Sequence, residues 1–371
     1  MLLKNGLVFI DGKYEHTDVL IEDDKIKRLE KIEGDGIDVS NKKIIPGLTD
    51  IHTHGALGAD TCDRDINSIK KIAKYNLENG TMQFCPTTMT LSEEELVEIF
   101  KVVGEYDDEF AKVVGIHMEG PFISAEKIGA QNPKFIAEPN YEMAQKLDEV
   151  SGGKLKIISI APELTGIYEF NKKVAGKYIL SVAHTNATYE EALFAFNNGF
   201  SHLTHMFNAM PGIHHRKPGP IIAAYEAGAT VELITDGIHI HDSVIRFSFD
   251  AFGKDRIILV SDSNEATGLK DGDYMLGGQP ITKKGRRAVL KGTNTIAGSS
   301  SNLMDCLKHA IKAGVNEECA VAAATINPAK KLGIINEIGA IKTGNIANLL
   351  VVDDNYNIEK IILRGEEYEK N

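Results

Sequence analysis

The chain has 371 residues, 43% of them hydrophobic and 25% charged, an ordinary globular composition with material for one large core or two smaller ones. A net charge of -12 argues against a nucleic-acid surface, while leaving room for a local basic pocket that takes an anionic small molecule. No run approaches the length of a membrane span, so no membrane partner is expected.

Residues 1–46 carry LLKNGLVFIDG, TDVLIEDDKIKRLEK and GIDVSNKKIIPG, short β-branched runs cut by Gly, Asp and Asn turns, which predict a small β unit. From 47 to 334 short apolar strands alternate with amphipathic helices, the pattern of parallel βα units. Eight strands are expected there: IIPGLTDIHTH, TMQFCPTT, KVVGIHMEG, LKIISIAPE, KYILSVAHT, FSHLTHMFNAM, TVELITDG and RIILVSDS. Ser92 with Glu95 and Thr188 with Glu191 are spaced as capping boxes, and Gly80, Gly199 and Gly228 stand where helices should stop. Eight such units close into a (β/α)8 barrel of the TIM type. Residues 335–371 return to short strands in GAIKTGNIANLLVVDDNYNIEKIILRGEE, and should complete the N-terminal unit as one discontinuous β-sandwich domain in an α/β protein. Cys62, Cys85, Cys306 and Cys319 are widely separated, and MLLKNGLVFIDGKYE lacks a leader's cleavage pattern, so reduced thiols and a cytoplasmic location are expected.

In such a barrel the strand C-termini form the chemical face. His52 and His54 end the first strand, Glu119 follows the third, His184 ends the fifth, His205 the sixth and Asp262 the eighth. Taken singly, a histidine at a strand end is as a rule a hydrogen-bonded core residue, and a lone carboxylate caps the next helix. Six on one face argue for a metal. Neutral imidazole and carboxylate suit a divalent ion such as Zn or Fe(II), and a catalytic site needs about three protein ligands with one position open. Period-two geometry puts His52 and His54 on one side of an extended segment, within reach of one ion. Asp262 is better placed as a base. A divalent ion lowers the pKa of water at its open position to about 7, and a carboxylate beside it can take that proton and hand it to a leaving nitrogen.

In chain order, PGLTDIHTHG, GIHMEGPFI, SVAHTNAT, LTHMFNAMPGIHHRKPG, ITDGIHI and ILVSDSNEATG resemble the amidohydrolase superfamily and, within it, the deacetylases of phosphorylated N-acetyl amino sugars. The resemblance continues through ATINPAKKLGI and IGAIKTGNIANLLVV, and so spans almost the whole chain. It implies a metal-dependent hydrolase that converts N-acetyl-D-glucosamine 6-phosphate to D-glucosamine 6-phosphate and acetate, in amino-sugar catabolism and cell-wall sugar recycling. By the same resemblance Glu119, His184 and His205 hold the principal ion, with Asp262 activating water and protonating the departing amine. His52 and His54 leave a second ion open, so one or two ions per subunit are expected, Zn first, with Fe, Mn or Co compatible. His239 would contact substrate near the amide; Ala130, Gln131, Asn208, Ala209, Arg216, Ile296, Ala297 and Gly298 match further substrate positions. The resemblance also implies a homodimer whose sites borrow a residue from the neighbour.

A guanidinium presents a planar fork of donors and stays charged, which makes Arg216 a sensible phosphate partner, although Arg216 and Lys217 also read as a solvated pair before Pro218. Gln131 stands where the family usually has His, which puts one substrate or subunit contact in doubt. Two alternatives remain: a cyclic-amide hydrolase of the dihydroorotase or hydantoinase kind, or a barrel that binds a sugar phosphate without turnover. The first needs a lysine at the end of strand four, and Lys156 sits at the wrong end of LKIISIAPE. The second would need no proton carrier such as Asp262.

Overall fold

The computed structural model describes residues 1–370. Strands Leu2–Ile10, Lys13–Glu22 and Lys25–Leu29 form an antiparallel meander, and Lys43–Pro46 runs parallel to the first of them. The other end of the chain extends the same sheet with Leu349–Val352, Ile358–Leu363 and Glu366–Tyr368, Ile45 standing opposite Leu350. The far edge folds back, because Ile26 N donates to Asn345 O at 2.9 Å and Lys25 bridges to Ile346. Curled in this way, the sheet encloses an apolar core of its own that includes Leu3, Val8, Val19, Ile21, Ile44, Leu349 and Val351.

Eight parallel strands make the barrel: Leu48–Thr53, Thr81–Thr88, Ile116–Glu119, Leu155–Ile160, Ile179–Val182, Phe200–Leu203, Thr230–Ile234 and Ile257–Val260. The ring closes between the first and the last, where Asp262 N donates to His52 O at 2.9 Å and His54 N to Ser263 O at 2.8 Å. Alternation along the strands sorts the two faces. Ile157, Ile234, Ile258 and Val260 pack in one small cluster with Ile51 and Cys85, whereas Ile158, Ile160, Leu233 and Leu259 belong to the large core shared with the helices.

Two runs that read as single strands are broken. IIPGLTDIHTH divides at Gly47: Lys43–Pro46 belongs to the terminal sheet, and Leu48–Thr53 pairs with Thr81–Thr88 in the barrel. A Cβ on Gly47 would lie 2.4 Å from Met82 Sδ and 2.8 Å from its Cβ, so only glycine lets the chain pass between the sheets here. KVVGIHMEG divides likewise into Lys112–Val113 and Ile116–Glu119.

Both expected capping boxes form. Ser92 opens Glu93–Gly104 and Thr188 opens Tyr189–Asn197, each side chain accepting from the N3 amide while that Glu reaches back. One element was not legible: after strand eight, Gly272–Leu276, Gln279–Lys284 and Arg287–Leu290 form a three-stranded antiparallel meander. Gly277 and Gly278 supply its first turn, a two-residue hairpin signal that the βα rhythm masked. Among the described residues no helix is long and apolar enough to cross a membrane.

Candidate metal centre and active site

The expected strand-end residues do converge. Glu119 is the last residue of strand three, and His184, His205 and Asp262 each stand two residues past the end of strands five, six and eight. Those last three have left-handed φ values of 42°, 27° and 48°. A side-chain-bearing residue in that region costs of order 1–3 kcal/mol, and here the turn carries each side chain into the barrel mouth. With His52 and His54, all six side chains are buried.

Hydrogen bonds on the outer ring nitrogens decide which nitrogen carries a proton in three of the four histidines, while His205 Nδ1 is buried without a partner among the described residues. His52 Nδ1–H donates to Glu232 Oε2 at 2.9 Å, His54 Nδ1–H to Thr87 O at 3.1 Å, and His184 Nδ1–H to Lys127 O at 3.0 Å. Each Nε2 is left with a lone pair, and these nitrogens face one another. His52 Nε2 lies 3.3 Å from His54 Nε2, and His205 Nε2 lies 3.1 Å from His184 Nε2. Glu119 Oε1 is 2.9 Å from His205 Nε2, 3.2 Å from His184 Nε2 and 3.5 Å from His52 Nε2. Asp262 Oδ1 stands 3.1 Å from His54 Nε2 and 3.5 Å from His52 Nε2. So many acceptors packed together repel unless cations lie among them, and a divalent ion satisfies several at once. The residues therefore fit a metal. Glu119 is shared by two groupings, one with His52 and His54, the other with His184 and His205.

With no ion bound, protons take its place: despite burial, the surrounding carboxylates raise His52 well above and His54 above the ordinary imidazole range, and the imidazoles act on the carboxyls in turn. Burial alone would raise Glu119, but the facing His52, His184 and His205 hold its carboxyl well below the usual range. Burial would likewise raise Asp262, and His52 and His54 hold it down as a carboxylate. Beneath them Asp50, accepting from the His52 and Ser261 amides, is pushed up to about 7 by burial.

A cavity of about 270 Å³ opens on this cluster. Ala130, Gln131, Asn208, Ala209, His239, Ile296 and Gly298 line it, beside His54, Glu119, His184, His205 and Asp262. Gly129, with φ +59°, lets the loop close over His184, since a Cβ there would come within 3.1 Å of His184 Cε1. Gln131 is engaged from both sides: its Oε1 accepts from Thr90 N and its Nε2 donates to Glu119 Oε2, both at 2.7 Å. Two expected residues stand apart. Ala297 is wholly buried behind the wall, its carbonyl accepting from Asn264 Nδ2. Arg216 is exposed on the loop after strand six, its guanidinium against His215 Nε2, and does not line the cavity.

Several contributors escaped the sequence reading, Met89, Gly129 and Thr295 of the cavity wall among them. Glu232 underlies His52, Asp236 holds His239 Nδ1 at 2.9 Å, and Leu276 of the meander closes one wall. Glu232 and Asp236 lie in TVELITDG, a strand taken as plain alternation. His117 stays inside the barrel on Ile51 O and Ser159 Oγ, and His241 caps the helix Asp242–Phe252.

With this geometry in place, sequence comparison becomes decisive: the amidohydrolase family profile matches residues 44–368. The chain belongs to the amidohydrolase family. Amidohydrolases are metal-dependent, and this one has buried His and Glu groupings able to hold an ion. It is 35% identical to an N-acetylglucosamine-6-phosphate deacetylase of Bacillus subtilis (strain 168), over 98% of this chain and 93% of that one. It is 34% identical to the Danio rerio protein of the same name, over 98% and 95%. An N-acetyl-D-glucosamine-6-phosphate deacetylase of Mycobacterium smegmatis, solved as an aspartate-to-alanine mutant with N-acetyl-D-glucosamine-6-phosphate, superposes with a TM-score of 0.94. That deacetylase shares 26% identity, over 99% of this chain and 98% of its own.

Proposed function

We propose that the protein hydrolyses the acetamide of N-acetyl-D-glucosamine 6-phosphate, releasing D-glucosamine 6-phosphate and acetate. The observation that carries this reading is Asp262, a buried carboxylate against the converging imidazoles and open to a cavity the size of a small substrate. The two full-length relatives, both named for this deacetylation, support the substrate.

When bound, a divalent ion polarises the amide carbonyl and acidifies the attacking water. Asp262 accepts that water's proton as the new C–O bond forms. It then passes the proton to the amide nitrogen as the C–N bond breaks, so that the amine leaves neutral. His239, its Nδ1 held by Asp236, keeps Nε2 for the carbonyl oxygen, where negative charge develops. Glu119, His184 and His205 would hold the principal ion, and His52 and His54 a second one shared through Glu119. Zn suits these donors best, with Fe, Mn or Co compatible.

Arg216 serves the phosphate in this reading. Because it does not line the cavity of its own chain, we infer that it reaches the site of a partner in a homodimer. A charged sugar phosphate does not leave a cell unaided, so a cytoplasmic place of work goes with the substrate, and the four cysteines are free thiols. A cyclic-amide hydrolase is disfavoured because Lys156 is exposed at the entry of strand four, far from the strand ends that carry the cluster.

Acetate release from phosphorylated and unphosphorylated N-acetylhexosamines, with ions counted on the same sample, tests the reading. The phosphorylated glucosamine derivative should be strongly preferred, and Asp262→Asn should bind substrate and metal while losing on the order of 10²–10⁴ in kcat. Undiminished turnover by Asp262→Asn would remove the proton-carrier role.

A further inference from the structure

Glu232 lies in the middle of strand seven, fully buried, and takes no part in the steps above. Its Oε2 accepts two N–H groups, His52 Nδ1 at 2.9 Å and the His205 amide at 3.0 Å, while Oε1 faces His202 Nε2 at 3.1 Å. A carboxylate hidden this deeply is costly unless its partners compensate, so its place below the cluster calls for a reason.

The reason lies in His52. An imidazole binds an ion only through the nitrogen that lacks a proton, and Glu232 is the sole hydrogen-bond partner of His52 Nδ1. His54 and His184 have their protons placed by backbone carbonyls, which no substitution removes. His52 alone among these three depends on a side chain. The negative charge also makes its Nε2 a stronger donor than a neutral carbonyl would.

We propose that Glu232 is a positioning residue that fixes the His52 tautomer and ring, and thereby sets the affinity for the ion on the His52 and His54 side. This rests on the two-ion reading above. The principal grouping of Glu119, His184 and His205 meets Glu232 only at the His205 backbone amide and through no ligand side chain, so its affinity should change far less.

Metal-free wild-type protein, Glu232→Ala and Glu232→Gln are each titrated with Co(II), counting bound ions and following the visible absorption of the bound Co(II). Two binding steps are expected for the wild type. In Glu232→Ala the first step stays and the second weakens ~10- to 100-fold. Glu232→Gln keeps an acceptor oxygen without the charge, and its second step should fall between the two. If the alanine variant does not fold, the glutamine variant carries the test, since it preserves shape. Two steps of wild-type affinity in the folded variants overturn the positioning role alone, as does equal weakening of both steps in Glu232→Gln. A wild type that takes up a single ion overturns the two-ion reading and the proposal together.

Discussion

The imidazole of His239 depends on a neighbour three residues back. Burial pushes its pKa down, but the hydrogen bond and charge of Asp236 more than offset this, so the ring holds its proton above the ordinary range. The sign follows from linkage. The proton's contribution to stability is complete below the unfolded value near 6.5 and is lost as pH rises through the folded one. Asp236→Asn keeps an oxygen for Nδ1–H and removes the charge, so His239 should titrate at lower pH. The alkaline limb of kcat should move in the acidic direction, and the stability gained at low pH should shrink. Superimposable pH profiles for the two proteins would mean that His239 is not the group titrating on that limb. At this scale the sequence was legible where chemistry-bearing types sit at strand ends, as His54, Glu119, His184, His205 and Asp262 do. It was silent on Glu232 and Asp236, because a carboxylate within a β-branched run looks the same whether it faces solvent or an imidazole.

Elements position these residues through their ends. Strands five, six and eight each place the functional residue two positions past the last ladder residue, in a left-handed turn that period-two reasoning does not foresee. The helices are set by local signals that are readable in isolation. Thr188→Ala should therefore cost about 1 kcal/mol in denaturant unfolding, with unchanged kcat, since the cap lies outside the cavity. Gly47→Val should cost ~1–3 kcal/mol by forcing a side chain against Met82. Equal unfolding midpoints for Gly47→Val and the wild type would show that the two sheets can separate at that bend without penalty. The meander at 272–290 was missed because its alternation sits in a stretch where a barrel predicts a helix.

For the whole molecule, a homodimer that exchanges Arg216 has an arithmetic signature. Mixed subunits of Arg216→Ala and Asp262→Asn would pair one intact site with one doubly impaired site. Refolded together, the two weakly active proteins should recover up to about a quarter of wild-type activity. Recovery no greater than the average of the separate variants would place Arg216 at its own site or none. The overall architecture was legible because eight βα units and two flanking β segments leave few arrangements. Which subunit a surface loop serves is not written in a single chain, and the exposed loop carrying Arg216 illustrates why: its composition suits solvent and a partner equally.

The ring of strands is sealed where Asp262 N meets His52 O, between the proposed proton carrier and one of the proposed ligands. Fraying of that seam would draw the acid–base group away from the histidines before the rest of the barrel melts. Loss of turnover on heating should then run ahead of global unfolding and coincide with the first solvent exchange of the Asp262 amide, making that single N–H a reporter of the working lifetime of the enzyme.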